Sequence, residues 1–90
     1  MTYYAVMKEW NYPCESGRDF VDDFDTYEEA LAKSMEICEE EMDNFCANIG
    51  GDCLNPEELG GEDKGVIVTS KMGLDHFYFA CRIVEMKSLG

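Results

Sequence analysis

The chain is poor in positive charge and has no long hydrophobic run. Its 90 residues include 7 lysines and arginines against 20 aspartates and glutamates, which gives a formal net charge of −13. No apolar stretch approaches the ~18 residues of a membrane span, and the N-terminus "MTYYAVMKEW" lacks the basic region and small-residue cleavage site of a secretory signal. We therefore expect a cytoplasmic protein with no membrane partner.

Several motifs that carry chemistry are also missing. No glycine-rich phosphate loop is present, and "DFVDDFDTYEE" lacks the central glycine of an EF-hand calcium loop. Cys38, Cys46 and Cys53 do not have the C-x2-4-C spacing with which two thiolates bind one zinc ion. No pair of carboxylates is singled out for acid–base catalysis. The sequence therefore predicts no cofactor, no metal and no enzymatic activity.

The cysteines and the hydrophobic content indicate a reduced, folded domain. Five cysteines are an odd number at irregular spacing, so reduced thiols are expected, with Cys38 and Cys46 packed in a core. A hydrophobic fraction of 46% with 12% aromatics is typical of a globule and not of a disordered acidic chain. A single domain over residues 1–90 follows.

The N-terminal half predicts a hairpin and a long helix. Thr2 to Trp10 is rich in β-favouring residues and is followed by the turn formers of "NYPCESG", after which "RDFVDDF" is the expected partner strand, with Phe20 and Phe24 on one side. Thr26, three residues before Glu29, predicts a capping box in which the hydroxyl and the carboxylate each bond the other residue's backbone N–H. The helix stops at Gly50-Gly51. Its apolar positions fall on one arc: Tyr27, Leu31, Met35, Cys38, Met42, Phe45, Cys46 and Ile49.

The C-terminal half predicts two further strands. Asn55 is expected to cap a single helical turn that begins at Pro56. "KGVIVTSK" and "DHFYFACRIVEMK" are then strands joined at Gly73, and the second turns Phe77, Phe79, Cys81 and Ile83 toward a core. The order ββαββ predicts a two-layer α+β domain, an antiparallel sheet with one long helix packed on one face.

Acidic side chains concentrate on the face of this helix opposite its apolar stripe. On a helical wheel they share an arc and have no basic residue among them, and we call the set the acidic ridge: Glu29, Glu36, Glu39, Glu40 and Asp43. Like charges three or four residues apart are together unfavourable by roughly 1 to 2 kcal/mol. Their place in the C-terminal half adds to this cost, because the helix dipole favours cations there.

Further carboxylates are expected to extend the ridge. Between Asp19 and Asp63 there are 16 acidic residues against Lys33 alone. Asp22, Asp23 and Asp25 precede the helix, and the loop acids after it are expected to continue the field from its other end. A surface that only confers solubility intersperses both signs, although a solvated acidic face stays the simpler alternative. Direct binding of nucleic acid is disfavoured, because phosphates would be repelled.

Small size, strong acidity and a compact α+β pattern resemble the anti-CRISPR proteins and other DNA-mimicking inhibitors that phages encode. The resemblance lies in overall character and not in a motif, so it assigns no residues. It implies an inhibitor that occupies the basic nucleic-acid site of a host nuclease or CRISPR-type complex. From the residues themselves, we expect the acidic ridge to dock in that groove with help from exposed aromatics such as Tyr12 or Tyr78.

A second hypothesis from a different class remains open. The strand Thr2 to Trp10 is apolar on both faces, so one face has no partner in a two-layer fold. The chain would then be a non-enzymatic accessory module that forms a homodimer through this strand. On this hypothesis Tyr4→Ala or Trp10→Ala should break the assembly.

Overall fold

The first and last strands of the chain, Thr2–Asn11 and Tyr78–Lys87, lie side by side within one antiparallel sheet. The computed structural model describes residues 1–60, 62–71 and 77–88. Its elements are β1 (Thr2–Asn11), β2 (Ser16–Phe24), α1 (Tyr27–Ile49), β3 (Glu57–Glu58), β4 (Gly65–Thr69) and β5 (Tyr78–Lys87). The sheet order is β2-β1-β5-β4-β3, and α1 packs on one face. The predicted ββαββ order and the α+β class are confirmed, with the two-residue β3 as an added edge.

The core lies between α1 and the sheet. Phe79, Cys81 and Ile83 of β5 are buried there, which confirms the predicted alternation. Every residue of the predicted apolar arc of α1 is buried in this core or packed against it. Ser34 is fully buried among them, and its hydroxyl donates to the Ala30 carbonyl at 2.8 Å. Serine is tolerated at position 34 of the core because the hydrogen bond to Ala30 satisfies its hydroxyl.

The β1–β2 hairpin contains a β-bulge that the sequence does not signal. Tyr4 pairs with Phe24 and Met7 pairs with Phe20, and the register shifts between Val6 and Met7. Phe24 therefore packs against the core, whereas Phe20 lies on the other face and is 53% exposed. The prediction that both phenylalanines share one side is wrong, because one extra residue reverses the parity of a strand.

Both ends of α1 are capped where the sequence predicts. The Thr26 hydroxyl accepts the Glu29 backbone N–H at 3.2 Å and donates to Glu29 Oε1 at 3.1 Å, so the carboxylate bonds the hydroxyl and not the Thr26 backbone N–H. Gly50 has φ +71°, and its N–H donates to the Cys46 carbonyl. This left-handed conformation favours glycine and ends the helix.

Two expectations for the segment after α1 are corrected. No helical turn begins at Pro56; Glu57 and Glu58 instead pair with Ile67 and Val66, because the edge of β4 offers backbone groups to them. The predicted turn at Gly73 lies outside the described residues.

A disulfide joins Cys46 and Cys53, whose Cα atoms are 5.8 Å apart. The expectation of reduced thiols is therefore wrong for this pair. The reversal at Gly50 folds the chain back on the last turn of α1, which brings Cys53 beside Cys46. Cys14 is an exposed thiol, whereas Cys38 and Cys81 are buried thiols of the core. A hydrogen bond with the Cys81 thiol, together with burial, raises the pKa of Cys38, so this cysteine stays protonated.

Candidate partner-binding surfaces

The acidic ridge forms a line of exposed carboxylates on the side of α1 that faces away from the sheet. All five of its residues are exposed. From Glu29 to Asp43 the helix rises about 21 Å at ~1.5 Å per residue. The five carboxylates of the ridge are about 5 Å apart along the helix on average, compared with ~3.4 Å of helix axis per phosphate in one DNA strand.

The ridge is largely without neutralising bases. Among the described residues only one ion pair reaches it, between Lys33 Nζ and Glu36 Oε2 at 3.5 Å. Its side chains are 41% and 56% exposed, so the pair contributes little to stability. Glu29 is also used in the N-cap, and Glu39, Glu40 and Asp43 have no ion-pair partner in the described chain. The repulsion expected from the sequence is therefore present in the fold.

The three aspartates before α1 do not all join the ridge. Asp22 pairs with the core residue Val6, so it lies on the helix side of the edge strand β2. Asp23 pairs with Ala5 and lies on the opposite face of the sheet. Asp25 is exposed in the turn that leads into the helix. The structure therefore brings Asp22 and Asp25 toward the N-terminal end of the ridge and directs Asp23 away from it.

The acids after α1 also lie elsewhere than expected. Burial and the negative charges of Glu58 and Glu28 raise the pKa of Tyr27, which places Glu58 near the first turn of the helix. Glu58 therefore does not extend the ridge from its C-terminal end. Asp63 pairs with Arg82 at 3.8 Å on the sheet. Glu58 therefore adds to the acidic field near the N-terminal end of α1, because β3 and β4 return along the helix.

The aromatic residues expected at the surface have other positions. Tyr12 is only 7% exposed, and its ring centroid lies 6.0 Å from that of Phe45. Burial and the charge of Glu41 raise the pKa of Tyr12. The prediction that Tyr12 is an exposed contact is wrong, because it closes the core beyond the end of β1. Tyr78 is half-buried, and burial together with the Glu9 charge raises its pKa.

The face of the sheet away from α1, which we call the outer face, is covered by no other layer of the described chain. Its apolar side chains include Tyr3, Ala5, Met7, Phe20, Ile67, Ala80, Val84 and Met86. Phe20, Val84 and Met86 are 53%, 42% and 40% exposed. Antiparallel sheets with one open face commonly carry polar residues there, so this face is unusually apolar.

Tyr4 and Trp10 do not belong to the outer face. Both pack against the core, because Val6 is fully buried beneath α1 and alternate residues of β1 follow it. The expectation that Tyr4 and Trp10 lie on the outward side of β1 is therefore wrong, and the outward set is Tyr3, Ala5 and Met7.

One ion-pair cluster occupies the middle of the outer face. Glu9, 16% exposed, accepts hydrogen bonds from Arg82 Nε at 3.1 Å and from Arg18 Nη2 at 3.3 Å. Burial opposes ionisation of this carboxyl, but the two guanidinium groups outweigh it and hold the pKa of Glu9 below its ordinary value. The two guanidinium groups thus offset part of the negative charge of the outer face, which also carries Asp23, and leave it less acidic than the helix face.

No group of three or more potential metal ligands is found in the described chain. Within that part, α1 is too polar to cross a bilayer. Comparison with known proteins gives no match to a family model, to a curated protein or to a solved structure.

Proposed function

We propose that the protein is a non-enzymatic inhibitor that places its acidic ridge in the nucleic-acid groove of a basic host protein. A nuclease or CRISPR-type complex in the host cytoplasm is the kind of partner that the charge fits. One observation carries the proposal: five exposed carboxylates follow ~21 Å of one helix, and within the described ranges a single exposed ion pair offsets their repulsion. Lysines and arginines in a partner would remove the repulsion that the free protein retains.

The mode of action is competition for the partner's groove. The ridge is held on a helix that packs along its length against the sheet, so its charges are fixed before binding. A charge array of this kind steers association with a basic surface and weakens as salt rises. Nucleic acid and the ridge would need the same lysines and arginines, so the two cannot bind together.

Affinity capture with matched variants tests the proposal. The ridge variant carries Glu36→Lys, Glu40→Lys and Asp43→Lys. The control variant carries Glu15→Lys, Asp52→Lys and Glu57→Lys, which changes the net charge by the same amount at exposed positions outside the ridge. Wild type and control should retain basic nucleic-acid-binding proteins from host lysate at ~0.1 M salt, where the Debye length is ~10 Å, and release them at ~1 M. The ridge variant should retain none of them.

Equal retention by the ridge variant would contradict the proposal, as would equal loss from both variants. The second result would show that net charge and not its position on α1 determines binding.

The outer face supports a second candidate function, a homodimeric accessory module. The specific observation is the apolar patch that includes Phe20, Val84 and Met86. A second copy fits this patch for an electrostatic reason. It is the less acidic side of a molecule with a net charge of −13, and two sheets that meet there hold their acidic helices far apart.

Sedimentation equilibrium distinguishes this candidate from the first. A dimer should dissociate when Val84→Lys and Phe20→Lys are combined. The matched control combines Ala32→Lys and Ala47→Lys, because both alanines are exposed on α1, away from the outer face. The ridge variant should dimerise like the wild type. A wild type that stays monomeric at the highest concentrations would remove this candidate.

A further inference from the structure

β5 extends beyond its neighbour β4 and leaves part of one strand edge open. β4 pairs with β5 only as far as Gly65 and Arg82, and the Ile83 N–H then donates to the Lys64 carbonyl at 2.9 Å. Val84 to Lys87 pair with β1 on one side alone. Among the described residues no strand covers their other side.

The backbone groups that point into this open edge can be assigned from the register. The Ser88 N–H donates to the Met1 carbonyl, so the even-numbered residues of β5 bond to β1. The odd-numbered ones face β4, as the bond from Ile83 shows. The N–H and C=O groups of Glu85 and the N–H of Lys87 are consequently directed to the open side. A strand edge of this kind is a template for another extended segment.

A groove of about 620 Å³ runs beside this edge, from the point where β4 ends. Tyr4 and Tyr27 form its wall on the helix side, with ring centroids 6.0 Å apart in an edge-to-face arrangement. Ile83, Val84 and Glu85 line it along β5. The groove therefore combines open backbone groups with aromatic surface.

The charges around the groove determine which kind of side chain it favours. Glu62, Asp63 and Glu85 line it together with Lys64 and Arg82, but Arg82 is already paired with Glu9 and Asp63. On the helix side, the raised pKa of Tyr27 reflects burial and the nearby charges of Glu58 and Glu28. Lys64, opposite Ile83, lies on the same side, but the carboxylates of Glu85, Glu58 and Glu28 outnumber it. The helix-side wall is thus net anionic as well as aromatic, which suits a lysine or arginine side chain. On the other side of the sheet, Val84 and Met86 are exposed and apolar.

We infer that the open edge of β5 binds an extended peptide segment of a partner as an added strand, in which a basic residue is flanked on both sides by apolar residues. The alternation of side chains in a strand produces this pattern. A residue opposite Glu85 points to the helix side and meets its carboxylate, while its two neighbours point to the outer face beside Val84 and Met86. Backbone hydrogen bonds supply affinity and the side-chain positions supply specificity. The inference does not depend on the acidic ridge.

Synthetic peptides test the edge directly by two-dimensional NMR of the isotope-labelled protein. The capped peptide TVKVT should shift the amide signals of Glu85 and Lys87 in a saturable way and slow their hydrogen exchange. TVEVT, which places a carboxylate opposite Glu85, should bind at least about tenfold more weakly. TVKVT with methylated backbone nitrogens should not bind, because it lacks the donors of an added strand.

Two substitutions at Glu85 separate the contribution of its backbone N–H to peptide binding from that of its side-chain charge. Glu85→Pro removes an N–H that forms no bond within the folded chain, so the fold should be kept while binding of TVKVT is lost. Glu85→Gln keeps the N–H and removes the charge, and binding should weaken only a few-fold. Circular dichroism confirms that each variant is folded before binding is measured.

The inference is overturned if TVKVT produces no saturable shift at Glu85 and Lys87, or if the shifts lie along β2 instead. Equal binding of TVKVT and TVEVT would also overturn it, and so would undiminished binding to a folded Glu85→Pro variant. The ridge variant distinguishes a failure of this inference from a failure of the proposed function. It should bind TVKVT like the wild type even though it no longer captures the basic partner.

Discussion

For single residues of this protein, burial and ion pairing together determine how readily the side chain ionises. Glu9 is the most instructive, because it lies under two guanidinium groups at the centre of the outer face. Arg18 faces Glu9 across the β1–β2 hairpin, but Arg82 is 73 residues from Glu9 in the sequence. Nothing in the residue pattern shows that β1 meets β5 in the register that joins them. Long-range register depends on the complete sheet, which is why this cluster was not predicted.

Replacement of Glu9 should reveal its contribution through pH. Its pKa is lower in the folded than in the unfolded chain, so its stabilisation is complete above the ordinary value of 4.5 and is lost as pH falls through the folded value. Glu9→Gln should therefore lower the free energy of unfolding by about 1 kcal/mol at neutral pH, a modest figure since Arg18 is 67% exposed.

Urea unfolding at several pH values measures this effect. The difference between the two proteins should shrink below pH 4.5 and vanish once Glu9 is protonated in the folded state. A difference that stays constant through the acid range would mean that packing, and not charge, is what the substitution changes.

Gly65 is a second residue whose identity is imposed by its surroundings. It has φ +133°, and a Cβ placed there would collide with the Cys81 carbonyl oxygen of β5. Backbone cannot yield as a flexible side chain can, so Gly65→Ala should destabilise the fold by about 3 kcal/mol or more.

Thermal unfolding tests this expectation, with Gly60→Ala as the control, because a Cβ at Gly60 meets nothing within 4 Å. Similar unfolding temperatures for the two variants would contradict the geometry at the start of β4.

Among the elements, α1 was the most predictable and the sheet edges were the least. The cap at Thr26, the stop at Gly50 and the apolar stripe are local signals, and each is present in the fold. The bulge in β2 and the pairing of Glu57 with β4 are not local, because they depend on which strand lies alongside. The acidic ridge belongs to the predictable part, since it follows from helical periodicity alone.

The stability of α1 should rise when the ridge is interrupted. Glu40 has Glu36 and Asp43 as its i−4 and i+3 neighbours, so Glu40→Lys converts two repulsive pairs into attractive ones. It also places a cation in the C-terminal half of the helix. We expect the free energy of unfolding to increase by about 1 kcal/mol at low ionic strength, and the gain to decrease in ~1 M salt.

The matched control for this change is Asp52→Lys, which alters the net charge equally outside the helix. If Glu40→Lys stabilises no more than Asp52→Lys, the ridge carries no local strain and its charge is only part of a general excess.

At the scale of the whole molecule, charge and apolar surface are separated onto opposite faces. The ridge lies on the far side of α1, whereas the outer face of the sheet carries exposed Phe20, Val84 and Met86 around a neutralised ion-pair cluster. The sequence predicted that β1 is apolar on both faces, but it assigned the outward side to Tyr4 and Trp10. The burial of Val6 in the core decides which side of β1 faces the helix. The sequence does not reveal this, because both sides of the strand are apolar.

The most direct measurement of the central claim is displacement of nucleic acid from the captured partner. A labelled DNA duplex bound to that partner is titrated with the wild type, the ridge variant and the control variant, and anisotropy reports the bound fraction. The ridge acts as a competitor for the DNA site, so wild type and control should release the duplex completely, and the ridge variant should need at least about tenfold more protein. A partner that holds the wild-type protein and the duplex together, or a ridge variant that displaces the duplex equally well, would contradict the account.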